Sequence, residues 1–305
     1  MAGRADCKAR ETRAVQTCLT GRERYRPAIL TVSMTAIDEA YQELVDDNHS
    51  GSSELFKATV QWIEMALSAK ETEKQIMADL LHLCKTHPAM ALLQNFCSFF
   101  RQIPLSTSRL HAWMQKYQKH ESEVCKHFAS LLSNFTNILL HSNSALLFKS
   151  LKGVSKTLNV FCTESRPAFE GHCLAERLAD SPHKVYLITD MAAFSVIPRV
   201  EVLAFGCDSI TPRGIVNKLG TAALVEIAQR QGRMNYFIGT TEKILKDWND
   251  DILLRQGART EIYDKNGSIQ VENYYFDLTP PELIGGVFLE TGISRMYEKT
   301  PTGRR

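Results

Sequence analysis

Five short polar clusters stand at the ends of apolar runs, and their residue types suit a phosphate or a sugar. They are His141-Ser142-Asn143-Ser144, Glu164-Ser165-Arg166-Pro167, Leu187-Ile188-Thr189-Asp190, Gly206-Cys207-Asp208 and Asn217-Lys218-Leu219-Gly220-Thr221. In an open parallel sheet the loops leaving the carboxyl ends of the strands converge on one crevice, so polar residues stranded there can face a single ligand. Lys218 carries a full charge and precedes the helical run Ala222 to Gln229, whose free N–H groups and dipole favour an anion. Equally, Asn217 and Thr221 cap that helix while Lys218 stands in solvent. Arg166 suits a bidentate phosphate contact, or an ion pair with Glu164 or Glu170. Asp208, after the flexible Gly206, serves as a general acid/base, binds sugar hydroxyls, or shapes an Asx turn. Asp190 reads as the N-cap of a helix starting at Met191. The cluster from His141 to Ser144 offers hydroxyls and a helix N-terminus to a phosphate, or is an ordinary serine cap.

Cys207 has no neighbouring histidine or lysine in sequence to lower its pKa and reads as a buried thiol. The eight cysteines form no C-x-x-C pair, which fits reduced thiols of a cytosolic protein better than a zinc ribbon or a disulfide framework. The nine histidines form no H-E-x-x-H pair, and G-x-G-x-x-G, the P-loop and a Ser-His-Asp order are all missing. Neither a metal nor a cofactor is expected.

The elements that must position these clusters are of two kinds. From Ser53 to Leu132 apolar residues recur at helical spacing, with Ser106-Thr107-Ser108 as the N-cap region of a long helix reaching toward Leu132. After that come short β-rich runs separated by helix-like segments: Thr136 to Leu140, Leu158 to Cys162, Lys184 to Ile188, Val200 to Phe205 and Met234 to Ile238. The predicted fold is α/β, an N-terminal helical domain (36–132) followed by a Rossmann-like parallel-sheet domain (133–305). Asp250 to Asn273 reads as an exposed excursion, with a hairpin around Lys265-Asn266-Gly267.

With 44% hydrophobic and 23% charged residues, the 305-residue chain has the composition of a soluble globular protein, and no apolar run approaches the ~20 residues of a membrane span. Of its 36 basic and 34 acidic residues, the first 33 positions hold 7 and 3, leaving 29 and 31. A body so balanced has no electrostatic footprint for duplex DNA. Residues 1–35 read as a basic, disordered leader without the apolar segment of a secretory signal, and Met34 is an alternative start.

The order Ile138-Leu139-Leu140-His141-Ser142, Thr163-Glu164-Ser165-Arg166-Pro167, Leu187-Ile188-Thr189-Asp190, Gly206-Cys207-Asp208, Asn217-Lys218-Leu219-Gly220-Thr221 and Phe276-Asp277-Leu278-Thr279-Pro280-Pro281-Glu282-Leu283-Ile284 resembles a known family. Its members are the regulatory alpha, beta and delta subunits of eukaryotic translation initiation factor 2B and the related methylthioribose-1-phosphate and ribose-1,5-bisphosphate isomerases. The likeness runs from about Ile138 to Thr291. It implies dimerisation through the C-terminal domain, as a homodimer or with a paralogue, and a cytoplasmic protein.

For the isomerases the resemblance implies a cysteine and an aspartate on either side of an aldose 1-phosphate. Asp208 matches the aspartate, Ser142 replaces the cysteine, and Ser209 replaces the arginine usual after the aspartate. The expectation is therefore a non-catalytic, alpha-subunit-like protein that binds a sugar phosphate or nucleotide through His141, Ser142, Asn143, Ser144, Arg166, Asn217 and Lys218. The alternatives are an aldose-ketose isomerase with Asp208 as acid/base, and a scaffold that pairs with a paralogue or a nucleotide-exchange partner.

Overall fold

The helical periodicity of the N-terminal half resolves into five helices, α1 Met34–Asp46, α2 Ser52–Ser68, α3 Glu73–Thr86, α4 Ala91–Gln102 and α5 Thr107–Leu132. They belong to a computed structural model that describes residues 34–297 apart from 49, 266 and 295; the expected leader lies outside the described residues up to position 33. The side chain of Thr72 accepts the N–H of Gln75 at the start of α3, and Ser106, at the start of α5, accepts that of Arg109, as its sequence position predicts. Aromatic side chains fill the centre of this layer, with Phe56 edge-on to Phe96 and Tyr117 at centroid distances of 5.1 and 5.3 Å.

All five predicted strands form, as β1 Asn137–His141, β2 Asn159–Thr163, β3 Lys184–Ile188, β4 Val202–Phe205 and β7 Met234–Ile238. With β9 Val287–Leu289 and β10 Gly292–Ser294 they make a seven-stranded sheet of order β10-β9-β7-β4-β1-β2-β3, parallel except for β10. The pleat divides its apolar residues between two cores. Ile138, Leu140, Val160 and Val202 face α5, α6 Ala145–Lys152 and α7 Glu170–Ala179. Leu139, Leu203, Phe205 and Phe237 face α8 Ala193–Val196 and α9 Thr221–Arg230.

A second, antiparallel sheet escapes the sequence pattern: β5 Ser209–Thr211, β6 Gly214–Lys218 and β8 Phe276–Thr279, in the order β5-β6-β8. Its hairpin turns at Gly214, where φ is +133° and an added Cβ would come within 2.1 Å of the Thr279 carbonyl. Glycine alone fits that approach.

Apart from Asn273 the described residues of 250–273 are exposed or half-buried, as expected of an excursion; they run through 3-10 turns at Asp250–Leu254 and Arg259–Glu261, with an isolated bridge between Gln256 and Tyr274, and Ile252, Leu253 and residues 255–258 line the crevice. Asn266, at the expected hairpin tip, lies outside the described residues. Among the described residues Cys84, Cys97, Cys125, Cys162 and Cys207 are buried free thiols. Among the described residues no helix is long and apolar enough to cross a membrane.

Candidate functional site

The strand order reverses between β1 and β4, which are paired so that His141 lies opposite Phe205. Ser142 and Gly206 therefore leave the sheet side by side, at the switch point where an open α/β sheet has its crevice. Gly206 permits this, because a Cβ there would sit 2.9 Å from Ser144 Oγ and 3.0 Å from its Cβ. The crevice holds a cavity of about 280 Å³ lined also by the start of α2, the α3–α4 connection, Ile252, Leu253 and residues 255–258. His141, Ser142, Asn143, Ser144, Asp208, Asn217 and Lys218 all line it, as do Ser52, Glu170, Lys243 and Tyr275, which sequence reasoning did not assign to the site.

A directed hydrogen-bond chain braces its floor. The Leu219 carbonyl can only accept, so His141 donates to it from Nε2 (2.9 Å) and leaves Nδ1 to accept from Thr163 Oγ1 (2.7 Å). Thr163 in turn accepts from Ser165 Oγ (2.9 Å), and Ser165 Oγ accepts the Ser142 N–H (2.8 Å). Ser142 and Ser165 both hold left-handed backbones, at φ 71° and 62°. Burial pushes the His141 imidazole down to about 4, so it is neutral at physiological pH. His141 thus ties three of the sequence clusters together with both ring nitrogens engaged by protein, and it brings no positive charge to a phosphate.

Arg166 departs from its expected place. It is exposed and does not line the cavity; its guanidinium lies 4.5 Å over the Phe169 ring and reaches the Glu261 carbonyl. Asp190 explains the turn: its carboxylate accepts the N–H groups of Ser165 and Arg166, both at 2.7 Å, while Thr189 caps the following turn through the Ala192 N–H. Glu170, one of the two partners weighed for Arg166, pairs with Lys218 at 2.7 Å. Lys218 is only 3% exposed, so its solvated alternative is excluded.

The N-terminus of α9 is not open to an external anion either. Asp277, on β8, accepts the N–H groups of Gly220 (2.8 Å) and Ala222 (3.1 Å) through Oδ2. Asn217 turns inward to Thr221 Oγ1. At α6, Ser144 is the serine cap, accepting the Leu147 N–H, and Asn143 bridges Glu54 and Arg177. Asp208, Lys243, Ser52 and the Lys218–Glu170 pair beside the Tyr275 ring line the cavity together with Ser142, Asp46, Asp47, Glu54 and Arg255.

Asp208 is half-buried, and burial raises its pKa, opposed by Lys243, by hydrogen bonds from Ser52 and by Lys218. Lys243 is 5% exposed and donates to Ser52 Oγ (2.8 Å) and the Cys207 carbonyl (2.7 Å). It follows β7 through Gly239, so the rule that selected the other clusters, polar residues just past a strand end, also reaches Lys243. Ser52 stands at a helix start beside Gly51, but nothing in its local sequence ties it to the sheet. The Cys207 thiol is pushed up to about 12 by burial and donates toward the Ile238 carbonyl (3.4 Å). Among the described residues no cluster of metal-ligating side chains occurs.

The chain and its fold are similar to those of known proteins. A 30% identical match over 180 residues joins the chain to ribose 1,5-bisphosphate isomerase of Methanocaldococcus jannaschii, covering 56% of this chain and 58% of that protein. A putative translation initiation factor eIF-2B subunit 2-like protein of Pyrococcus furiosus is 27% identical over 274 residues, covering 83% and 94%. The solved structure of the Pyrococcus horikoshii OT3 translation initiation factor eIF-2B superimposes with a TM-score of 0.76 at 25% identity, covering 86% of this chain and 97% of that one. The model of the initiation factor 2 subunit family matches residues 33–296, nearly the whole described chain. With helical layer, switch-point crevice and strand-end clusters all in place, the chain belongs to the initiation factor 2 subunit family.

Proposed function

We propose that this chain binds a phosphorylated sugar or a nucleotide in the crevice without converting it, as a regulatory or assembly subunit akin to the alpha subunit of initiation factor 2B. The observation that carries the reading is the crevice's lack of an available thiol. Ser142 stands where the isomerase resemblance calls for cysteine, and a hydroxyl is a far weaker acid than a thiol. Cys207, the one thiol among the described lining residues, is buried and held protonated.

The lining carries Asp46, Asp47, Glu54, Glu170 and Asp208 against Lys218, Lys243 and Arg255, which favours a ligand with one phosphate over one with two. The test is a proton NMR time course with methylthioribose 1-phosphate, ribose 1,5-bisphosphate and a nucleoside monophosphate in separate tubes. Selective line broadening without new ketose signals is expected, strongest with a monophosphate; ketose formation would overturn the reading.

A second reading, an aldose-ketose isomerase with Asp208 as acid/base, is favoured by the raised pKa of Asp208 inside the cavity. It requires that Asp208→Asn abolish turnover while binding persists. For assembly, a homodimer or a heterodimer with a paralogue is supported by β3. This edge strand of the parallel sheet leaves Tyr186 and Leu187 44% and 47% exposed. Light scattering of the purified chain, alone and with the Tyr186→Lys variant, checks it: a monomer in both would count against dimerisation.

A further inference from the structure

A second cavity, of about 770 Å³, shares no lining residue with the crevice. It runs along α5, which is long enough to serve both cores: Leu110 and Tyr117 pack in the helical layer, and Val124, Phe128 and Leu132 pack under the sheet. Between these two stretches the helix carries Glu121, which is only 2% exposed. A carboxylate so buried needs partners, and it takes three. The Tyr117 hydroxyl donates to Oε1 (3.0 Å), Lys57 Nζ, from α2, to Oε1 and Oε2 (3.2 and 3.0 Å), and Lys149 Nζ, from α6, to Oε2 (2.7 Å). Burial alone would push this carboxyl up, but the two ammoniums outweigh it and hold it below the usual carboxylate range, so the group is ionised.

Two ammoniums on one carboxylate leave a positive charge over. Lys57 and Lys149 reach the same oxygen at 3.0 and 2.7 Å, so their nitrogens are at most about 5.7 Å apart, a span that one tetrahedral oxyanion bridges with charge-assisted bonds of about 2.8 Å. Both line the cavity, with side chains 32% and 44% exposed, and an ammonium has three donors, so neither is exhausted by Glu121. The remaining cation of the wall, Lys126, pairs with Glu123 at 3.0 Å and adds nothing to the excess. Burial pushes Lys57 below the usual lysine range, opposed by Glu121 and reinforced by the neighbouring Lys149 charge, so an anion between the two relieves that repulsion.

We propose that this groove is an anion site separate from the crevice, in which Lys57 and Lys149 clamp a phosphate group, free or as the monoester of a small molecule, opposite Glu121. Ser122 and Ser130 add hydroxyls to the same wall, and about 770 Å³ leaves room for more than the phosphate itself. The clamp has one arm in each layer, since α2 packs in the helical core and α6 in the sheet core. The same two helices also wall the crevice, α2 through Ser52 and Glu54 and α6 through its cap Ser144 and Ala145. An anion held between Lys57 and Lys149 therefore joins the two layers without occupying the crevice.

The test is carbon NMR of the full chain with labelled lysine ε-carbons, titrated with inorganic phosphate and, separately, with glycerol 3-phosphate, while chloride holds the ionic strength constant. The Lys57 and Lys149 signals are assigned by their disappearance in Lys57→Gln and Lys149→Gln. Both should move on one saturating curve, and Lys149→Gln should weaken binding, read at Lys57, about tenfold. Tighter binding of glycerol 3-phosphate would mark the groove as a monoester site; equal or weaker binding would mark it as a site for phosphate itself. A drift without saturation, shared with exposed lysines such as Lys126, would reduce the effect to screening and overturn the proposal, as would an unchanged affinity in Lys149→Gln. Should Lys149→Gln not fold, Lys57→Gln, read at Lys149, decides by the same criterion. Phosphate in the crevice is read at Lys218 and Lys243 in the same spectra, so a crevice that binds nothing would remove the function proposed above and leave this result standing.

Discussion

Replacing Asp277 with asparagine is expected to stabilise the protein above neutral pH. Asp277 Oδ2 accepts two N–H groups at the start of α9, while Oδ1 is buried with no hydrogen-bond partner among the described residues. Burial raises the carboxyl from an ordinary 3.8 to about 7, outweighing the Gly220 and Ala222 N–H bonds that pull it down. A folded value above the unfolded one means that the carboxyl's contribution is fully present below about pH 4 and is lost as pH rises through about 7. A rise of about three units, at about 1.36 kcal/mol each and already net of the two N–H bonds, makes holding the ion in the folded state cost about 4 kcal/mol.

Asparagine keeps an oxygen for the two N–H groups and does not titrate. Its amide would stand where Oδ1 now lacks a partner, at a cost of about 1 kcal/mol. Asp277→Asn should therefore exceed the parent by roughly 3 kcal/mol at pH 8.5 and by well under 1 kcal/mol at pH 5. Urea unfolding of both proteins at pH 5, 6, 7 and 8.5, with slopes checked for two-state behaviour, measures this. A stability difference that stays flat across the series would refute the reasoning.

Lys218→Met should destabilise by roughly 3–5 kcal/mol because it strips the cation from Glu170, and Lys218→Met/Glu170→Gln should recover most of that loss in a denaturant double-mutant cycle. Gly206→Ala should cost about 1–3 kcal/mol by driving β4's exit into Ser144, read as a lowered unfolding midpoint; an unchanged midpoint would show that α6 can give way. His141, lowered from 6.5 to about 4, stabilises as the neutral ring above pH 6.5, and that stability is lost as pH falls through about 4. His141→Gln should flatten the stability profile between pH 6.5 and 4 while lowering stability at pH 7; an undiminished acid slope would assign that limb to other groups.

The sequence by itself determined what depends on local periodicity: the helical layer, the five parallel strands, the Ser106 cap, and the gathering of Ser142, Asp208, Asn217 and Lys218 at one edge. A strand-end position follows from the pleat and from apolar runs a few residues long, so no distant information is needed. Which groups pair across that edge only the tertiary structure decided. Lys218 finds Glu170 48 residues away, the α9 N-terminus finds Asp277 at a separation of 57 from Gly220, and Lys243 finds Ser52 across 191. Arg166 shows the same limit in reverse, turned out of the crevice because Asp190 takes its N–H and Phe169 receives its guanidinium. Local sequence fixes where a charge sits along the chain, but a buried charge must be met by whatever partner the fold delivers, and that partner is set by long-range packing rather than by its neighbours.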